Sequence, residues 1–132
     1  MAVGRVILPD GTIRELQIPS RKRAMPLAGR WRITWMEQWS QDAVDLVAPG
    51  ELVIGEDGQG SMSFIAVACD LDIEPTERDG RAAVEWSWVG EDEGDEQTGR
   101  GWATLQDDGS LRGRIFFFRG DASDFTATKR KR

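Results

Sequence analysis

The chain has 132 residues and a formal net charge of −6, with 39% hydrophobic and 30% charged residues. That length suits one domain with a single core, and the composition is that of a globular protein. It contains no histidine and one cysteine, and its apolar runs are far shorter than the about 18 residues that a membrane-spanning helix needs. We therefore expect a soluble, non-enzymatic protein without a cofactor, in which Cys69 is a reduced and buried thiol.

The N-terminus gives no secretion signal. The apolar run Val6-Ile7-Leu8 ends at Pro9 and Asp10, before a signal-peptide core can form. We expect a cytoplasmic protein.

Charge is unevenly distributed along the chain. Residues 1–35 carry a net charge of +5, residues 36–98 carry −15 and residues 99–132 carry +4. An acidic middle argues against a broad nucleic-acid interface. The asymmetry also allows a basic segment to dock on the acidic surface of its own or a neighbouring subunit.

The first predicted element is a β-hairpin over Val3–Ile18, because Pro9-Asp10-Gly11 supplies the backbone preferences of a short turn. A connector with two prolines follows and includes the cations Arg21, Lys22 and Arg23. The predicted organisation is an N-terminal hairpin arm and basic linker over 1–26, a β-domain over 27–128, and a disordered basic tail over 129–132.

The main body begins at Gly29, where Trp31, Ile33 and Trp35 alternate with polar residues in the manner of a strand. A short helix is predicted over Ser40–Val47, with Ser40 as its N-cap. Further strands are predicted at Glu51–Gly55, Gly60–Cys69, Arg81–Val89, Gly99–Gln106, Leu111–Arg119 and Asp124–Thr128, with Leu71–Glu74 as an optional extra strand.

Turns that contain aspartate and glycine separate these strands, which is typical of consecutive antiparallel hairpins. Strands in such a meander must protect their edges, and closure into a small barrel does so at this length. The sequence thus predicts an all-β fold. It is an antiparallel up-and-down meander, closed into a small barrel or strongly bent, with one short helix after the first barrel strand and the N-terminal β-hairpin as an extension.

Two resemblances follow from these residues. A first strand with Gly29 and Trp31, then a short helix and a meander, resembles the calycin group of lipocalins, fatty-acid-binding proteins and avidins. The segments 99–103, Asp108-Gly109, 113–117 and Gly120-Asp121 look like a family of small uncharacterised bacterial proteins, over residues 27 to about 128. The first resemblance implies a calycin-like barrel, and the second implies no known activity.

The lumen of such a barrel is either filled by side chains or holds one small ligand. Inward tryptophans would serve either purpose. We predict a binding protein that holds a small apolar ligand in a tryptophan-lined barrel, in a pocket closed at one end by the predicted helix. The candidate ligand-binding residues are Trp31, Trp35, Trp86, Trp88, Trp102, Arg100 and Arg114.

Other interpretations remain open. Apolar residues occupy both faces of Arg112–Phe118, which predicts that the N-terminal hairpin or a second subunit covers the outside of the barrel. The alternative function is therefore a protein-interaction or self-association module with a filled core, which would bind a protein partner or a second copy through the N-terminal hairpin. A second alternative is weak nucleic-acid binding through Arg21, Lys22 and Arg23 together with the C-terminal tail.

The acidic residues give no metal or catalytic motif. Asp70, Asp72 and Glu74 share one strand face, which we interpret as a solvated acidic surface. The run Glu91–Glu96 lacks the ligand spacing of an EF-hand and is predicted to be a hydrated hairpin loop. We expect no metal site.

Overall fold

The computed structural model describes residues 2–18 and 25–130 of the chain. These ranges contain ten β-strands and one short helix, α1, at Gln41–Val44. The strands are β1 (Ala2–Ile7), β2 (Ile13–Ile18), β3 (Gly29–Met36), β4 (Glu51–Ile54), β5 (Gln59–Phe64), β6 (Val67–Arg78), β7 (Arg81–Asp92), β8 (Asp95–Leu105), β9 (Leu111–Phe117) and β10 (Ala122–Lys129). In this part of the chain, no helix has the length and apolar character needed to cross a membrane.

The strands form two antiparallel sheets. β1 and β2 pair as a two-stranded hairpin, which confirms the prediction for Val3–Ile18. The other eight strands form a closed barrel in which sequence neighbours pair and β10 pairs with β3. The predicted all-β meander, its closure and the short helix after the first barrel strand are confirmed. Closure satisfies the backbone groups that an open sheet would leave unpaired at its edges.

The turn between β5 and β6 differs from the sequence prediction. The pattern indicated one strand over Gly60–Cys69, but β5 ends at Phe64, and the predicted optional strand lies within the 12-residue β6. Ile65 makes this turn with a φ of 55°, a conformation that β-branched residues rarely adopt. Its backbone N–H donates to the carbonyl of Val44 at 2.7 Å. An apolar turn residue carries no glycine or asparagine signal, so composition does not reveal this turn.

Two predictions for charged segments are wrong. Most of the predicted loop Glu91–Glu96 is strand, and only Glu93-Gly94 forms the turn, with φ values of 52° and 89°. The predicted disordered tail over 129–132 is also wrong in part, because Lys129 ends β10 and its Nζ donates to the carbonyl of Ala28 at 2.7 Å. Arg130 pairs with Glu51 at 2.7 Å. Residues 131 and 132 lie outside the described ranges.

Helix α1 is shorter than predicted. Ser40 is its N-cap and accepts a hydrogen bond from the backbone N–H of Ala43 at 3.3 Å. The helix ends at Val44, which is buried, whereas Leu46 and Val47 are exposed rather than part of an apolar helix face. One turn of helix is therefore held mainly by its cap and by Val44, since so short a helix has little stability of its own.

Asp45 joins α1 to the first two barrel strands. Its carboxylate accepts hydrogen bonds from Arg32 Nη1 and Nη2 at 2.9 and 2.6 Å, and from the backbone N–H of Gly50 at 2.8 Å. The side chain of Gln41 donates a further bond at 3.1 Å. These bonds, above all those from Arg32, lower the pKa of Asp45 to about 2.

One cluster of buried apolar side chains occupies the barrel interior. Its members are Met25, Leu27, Trp31, Ile33, Met36, Val44, Leu52, Ile54, Met62, Phe64, Val67, Cys69, Leu71, Ile73, Val84, Trp86, Trp88, Ala103, Leu111, Ile115, Phe125 and Ala127. Burial, followed by the charge of Asp70, raises the pKa of the Cys69 thiol to about 12. The thiol therefore stays protonated and packs as a small apolar group.

Glycines on β8 make room for the largest of these side chains. Trp86 lies opposite Gly101 and Trp88 lies opposite Gly99 in the β7–β8 register. A Cβ atom at Gly101 would lie 2.6 Å from Trp86 Cε2, closer than van der Waals contact allows. Gly113 on β9 is placed in the same way against the ring of Phe125 on β10. Aromatic rings thus occupy the volume that Cβ atoms would take on the neighbouring strands.

A β-bulge changes the face on which Trp35 lies. β10 pairs Thr126 with Trp35 and Ala127 with Ile33, so the strand register skips Thr34, although its Oγ1 lies 3.0 Å from Thr126 Oγ1. Thr34 and Trp35 are therefore both exposed, and alternation resumes with the buried Met36.

The contact between Trp86 and Gly101 is tested by Gly101→Ala. We expect this substitution to lower the free energy of unfolding by about 1–3 kcal/mol, because the new methyl group overlaps the indole. The measurement is urea unfolding followed by circular dichroism. Gly101→Ala should lower the free energy of unfolding clearly less in a Trp86→Phe background. An equal loss of stability in both backgrounds would contradict the contact. Ser87→Ala, at the outward position between Trp86 and Trp88, is the control and should change stability by less than about 0.5 kcal/mol.

The role of Asp45 is tested by Asp45→Asn across pH. The native pKa of about 2 lies below the unfolded value of 3.8, so the ionised carboxylate stabilises the fold above about pH 4. This contribution is lost as the pH falls toward 2. We expect the stability difference between wild type and Asp45→Asn, measured by urea unfolding, to be largest near neutral pH and to shrink between about pH 4 and 2. A pH-independent difference would contradict this role.

Candidate functional site

The structure separates the five tryptophans that the sequence grouped as ligand walls. Trp31, Trp86 and Trp88 point into the barrel and are buried. Trp35 is on the outside with 46% of its surface exposed, because of the β-bulge. Trp102 is also on the outside, where the guanidinium of Arg78 stacks over its ring at 3.9 Å. The five side chains therefore do not surround a common space.

The three inward tryptophans differ in how their indole N–H groups are satisfied. Trp31 Nε1 donates to the carbonyl of Leu27 at 3.0 Å, and Trp88 Nε1 donates to the carbonyl of Phe116 at 3.1 Å. Trp86 Nε1 is buried, and no acceptor from the described residues reaches it. A buried donor without a partner destabilises the folded state by about 1–3 kcal/mol. Among these three interior tryptophans, Trp86 is therefore the one at which an added acceptor atom would stabilise the protein most.

The predicted cationic ligand contacts also lie outside the barrel. Arg100 stacks over the ring of Phe116 at 3.8 Å. Arg114 pairs with Asp124 at 2.7 Å and with Glu37 at 3.2 Å, and these ion pairs hold its side chain against the outside of the barrel. The predicted interaction residues Arg21, Lys22 and Arg23 lie outside the described residues.

A cleft of about 440 Å³ opens at one end of the barrel, and we call it the mouth cleft. It lies beside the turns β5–β6, β7–β8 and β9–β10 and the segment between β3 and α1. Its lining residues are Trp39, Ile65, Val67, Asp92, Glu93, Gln97, Phe117, Gly120 and Asp121.

The floor of the mouth cleft is aromatic. Trp39 lies 5.7 Å from Phe64 between ring centroids, and Phe64 meets Phe117 edge to face at 6.2 Å. Phe117 in turn meets Trp88 edge to face at 5.2 Å. This chain of rings runs from the cleft into the filled interior and fixes the faces that Trp39 and Phe117 present at the mouth. Ile65, in its left-handed conformation, contributes an aliphatic side chain to the same lining.

The rim of the mouth cleft is acidic. Asp92, opposite Val67 in the β6–β7 register, lines it together with Glu93 and Asp121. Within residues 2–18 and 25–130, no hydrogen bond or ion pair satisfies these three carboxylates. The lining contains no lysine or arginine. An aromatic floor and an anionic rim together create a negative potential, which favours a positively charged guest over a neutral or anionic one.

The sequence pattern does not reveal this site. It places Trp39 next to the predicted helix, Glu93 in a predicted hydrated hairpin loop and Ile65 within a predicted strand. Trp39 lies between β3 and α1, whereas Phe117 ends β9, and only closure of the barrel brings these two positions together.

No group of three or more histidine, cysteine or acidic side chains in the described ranges is arranged to hold a metal ion. Comparisons of the chain with protein-family models, with curated proteins and with solved structures found no match.

Proposed function

We propose that this protein is a non-enzymatic binding protein that takes a small organic cation with an apolar body in its mouth cleft. The observation that carries the proposal is the combination, in one 440 Å³ cleft, of aromatic side chains with unpaired carboxylates and without any cationic side chain. Alkylated ammonium groups fit this environment because their methyl groups contact aromatic faces while their charge remains attractive to the rings and to carboxylates.

The expected affinity is modest. A cation over an aromatic ring contributes about 0.5–2 kcal/mol, depending on how far it is desolvated. A small ammonium ion in the cleft would contact two rings and a nearby carboxylate and would bury a few carbon atoms. We therefore expect a dissociation constant on the order of 10 µM to 1 mM.

The closed eight-stranded barrel and its short helix support assignment to the calycin group, whose small barrels hold one ligand. We also propose that the chain belongs to the uncharacterised bacterial family that its β8 and β9 segments resemble. A single buried Cys69 thiol is compatible with a cytoplasmic location.

A second candidate function is binding of an apolar ligand inside the barrel, among Trp31, Trp86 and Trp88. The unpaired N–H of Trp86 favours it, because an oxygen atom of the ligand would supply the missing acceptor. This candidate requires the interior side chains to separate, since the core cluster occupies the lumen.

Nucleic-acid binding through the termini has less support. Lys129 and Arg130 are engaged by Ala28 and Glu51 on the barrel, which lowers their availability to phosphates.

The mouth-cleft proposal is tested by isothermal titration calorimetry with choline and with its neutral isostere, 3,3-dimethylbutan-1-ol. We expect choline to bind and the neutral compound to bind at least about tenfold more weakly, because only choline gains the cation–π and carboxylate terms. Equal affinity for both compounds, or no binding of choline, would refute the proposal.

Matched variants locate the site. Trp39→Leu and Asp92→Asn should each weaken choline binding by about fivefold or more. Trp35→Leu and Asp72→Asn change the same residue types outside the mouth cleft and should leave the affinity unchanged. Equal losses in both sets would place the choline site elsewhere.

A further inference from the structure

The outer surface of β6, β7, β8 and β9 has an exposed apolar centre. We call this surface the β6–β9 wall. We define it by the outward strand residues Asp70, Asp72, Ser87, Val89, Thr98, Arg100 and Phe116, together with Phe118 and Arg119, which directly follow β9. Val89 and Phe118 are 59% and 65% exposed. They border a depression of about 520 Å³ that Thr98, Arg100 and Phe116 also line. Apolar side chains exposed together in this way are typical of interaction surfaces.

Opposite charges flank this centre on its two sides. Asp70 and Asp72 project from β6, and no partner for either is found among the described residues. On the other side, Arg100 and Arg119 have no carboxylate partner in the described chain and stack instead on Phe116 and Phe118, at 3.8 and 5.0 Å. The wall therefore has unpaired anions at one margin and unpaired guanidinium groups at the other.

The strand register makes this arrangement self-complementary. Asp72, Ser87 and Arg100 form one row across β6, β7 and β8, and Asp70, Val89 and Thr98 form the next row. A two-fold axis that is parallel to the strands and lies in the interface plane, between β7 and β8, sets β6 of one copy against β9 of the other and β7 against β8. The same operation places the acidic margin of one copy against the cationic margin of the other and brings the two apolar centres together.

From this register and these unpaired charges we propose that the β6–β9 wall is a homodimer interface, occupied by a second copy of this chain about a two-fold axis. The occupant is a second copy because both halves of the required charge pattern are present on one wall. The proposal uses residues outside the mouth cleft, so it stands or fails independently of the proposed function.

The interface accounts for the two apolar faces of β9. Ile115 is buried in the barrel, whereas Phe116 and Phe118 lie on the outside and would be covered in the dimer. Four strands at a spacing of about 4.8 Å make a wall about 20 Å wide. The surface area that such a wall can bury is therefore small compared with that of a standard interface. We therefore expect a weak dimer, with a dissociation constant on the order of 10–100 µM.

The test is sedimentation velocity of the full chain over a concentration series. We expect a monomer–dimer equilibrium that weakens as salt is raised, because exposed ion pairs are screened. Asp72→Arg and Arg100→Glu should each weaken dimerisation by about tenfold or more, since each reversal creates like-charge contacts at both symmetric positions. Glu56→Arg, an equivalent reversal on the exposed β4–β5 turn, is the control and should dimerise like wild type.

Mixing the two variants provides the decisive measurement. A heterodimer of Asp72→Arg with Arg100→Glu pairs arginine with glutamate at one position and aspartate with arginine at the other, so we expect the equimolar mixture to regain dimerisation. A wild-type monomer at all concentrations would overturn the proposal. A dimer whose affinity is changed by neither charge reversal would also overturn it. So would a dimer that is lost only when residues 2–18 are deleted, because that result would assign the interface to the N-terminal hairpin.

Discussion

Each large aromatic side chain inside the barrel occupies space that a glycine on the adjacent strand leaves empty. Trp86 and Trp88 lie against Gly101 and Gly99, and Phe125 lies against Gly113. Any larger residue at these glycines would collide with a ring or with the backbone, so the bulky core and the closed barrel depend on each other. This packing places large side chains in the lumen of an eight-stranded barrel, where other barrels of this size have room for one small ligand.

A filled lumen moves recognition to the ends and the outside of the barrel. At one end, the ring chain from Trp88 through Phe117 to Trp39 brings the core to the surface as an aromatic floor, and Asp92 and its neighbours supply the charge. On the outside, β7 to β9 expose Val89 and Phe118 between margins of opposite charge. Both surfaces are built from side chains outside the lumen, because the inward positions of the strands already carry core side chains.

The sequence predicts the fold well because strand alternation and Asp-Gly turns are local signals. It fails at Ile65 and Trp35, where an apolar residue in a left-handed turn and a β-bulge interrupt that alternation without a compositional mark. The candidate site is harder to predict for a different reason. Trp39 and Phe117 are 78 positions apart in the chain, and only the closure of β10 on β3 and the stacking on Phe64 bring them to one cleft.

A lumen occupied by core side chains should leave the mouth cleft as the place where a ligand binds. The most direct measurement follows the indole N–H signals of the six tryptophans by ¹H–¹⁵N NMR while choline and decanoic acid are added separately. We predict that choline shifts the signal of Trp39, and that neither compound shifts those of Trp31 and Trp86. A shift of the Trp86 signal by decanoic acid, with Trp39 unchanged by choline, would show that the lumen opens to ligands and that the mouth cleft is not the binding site.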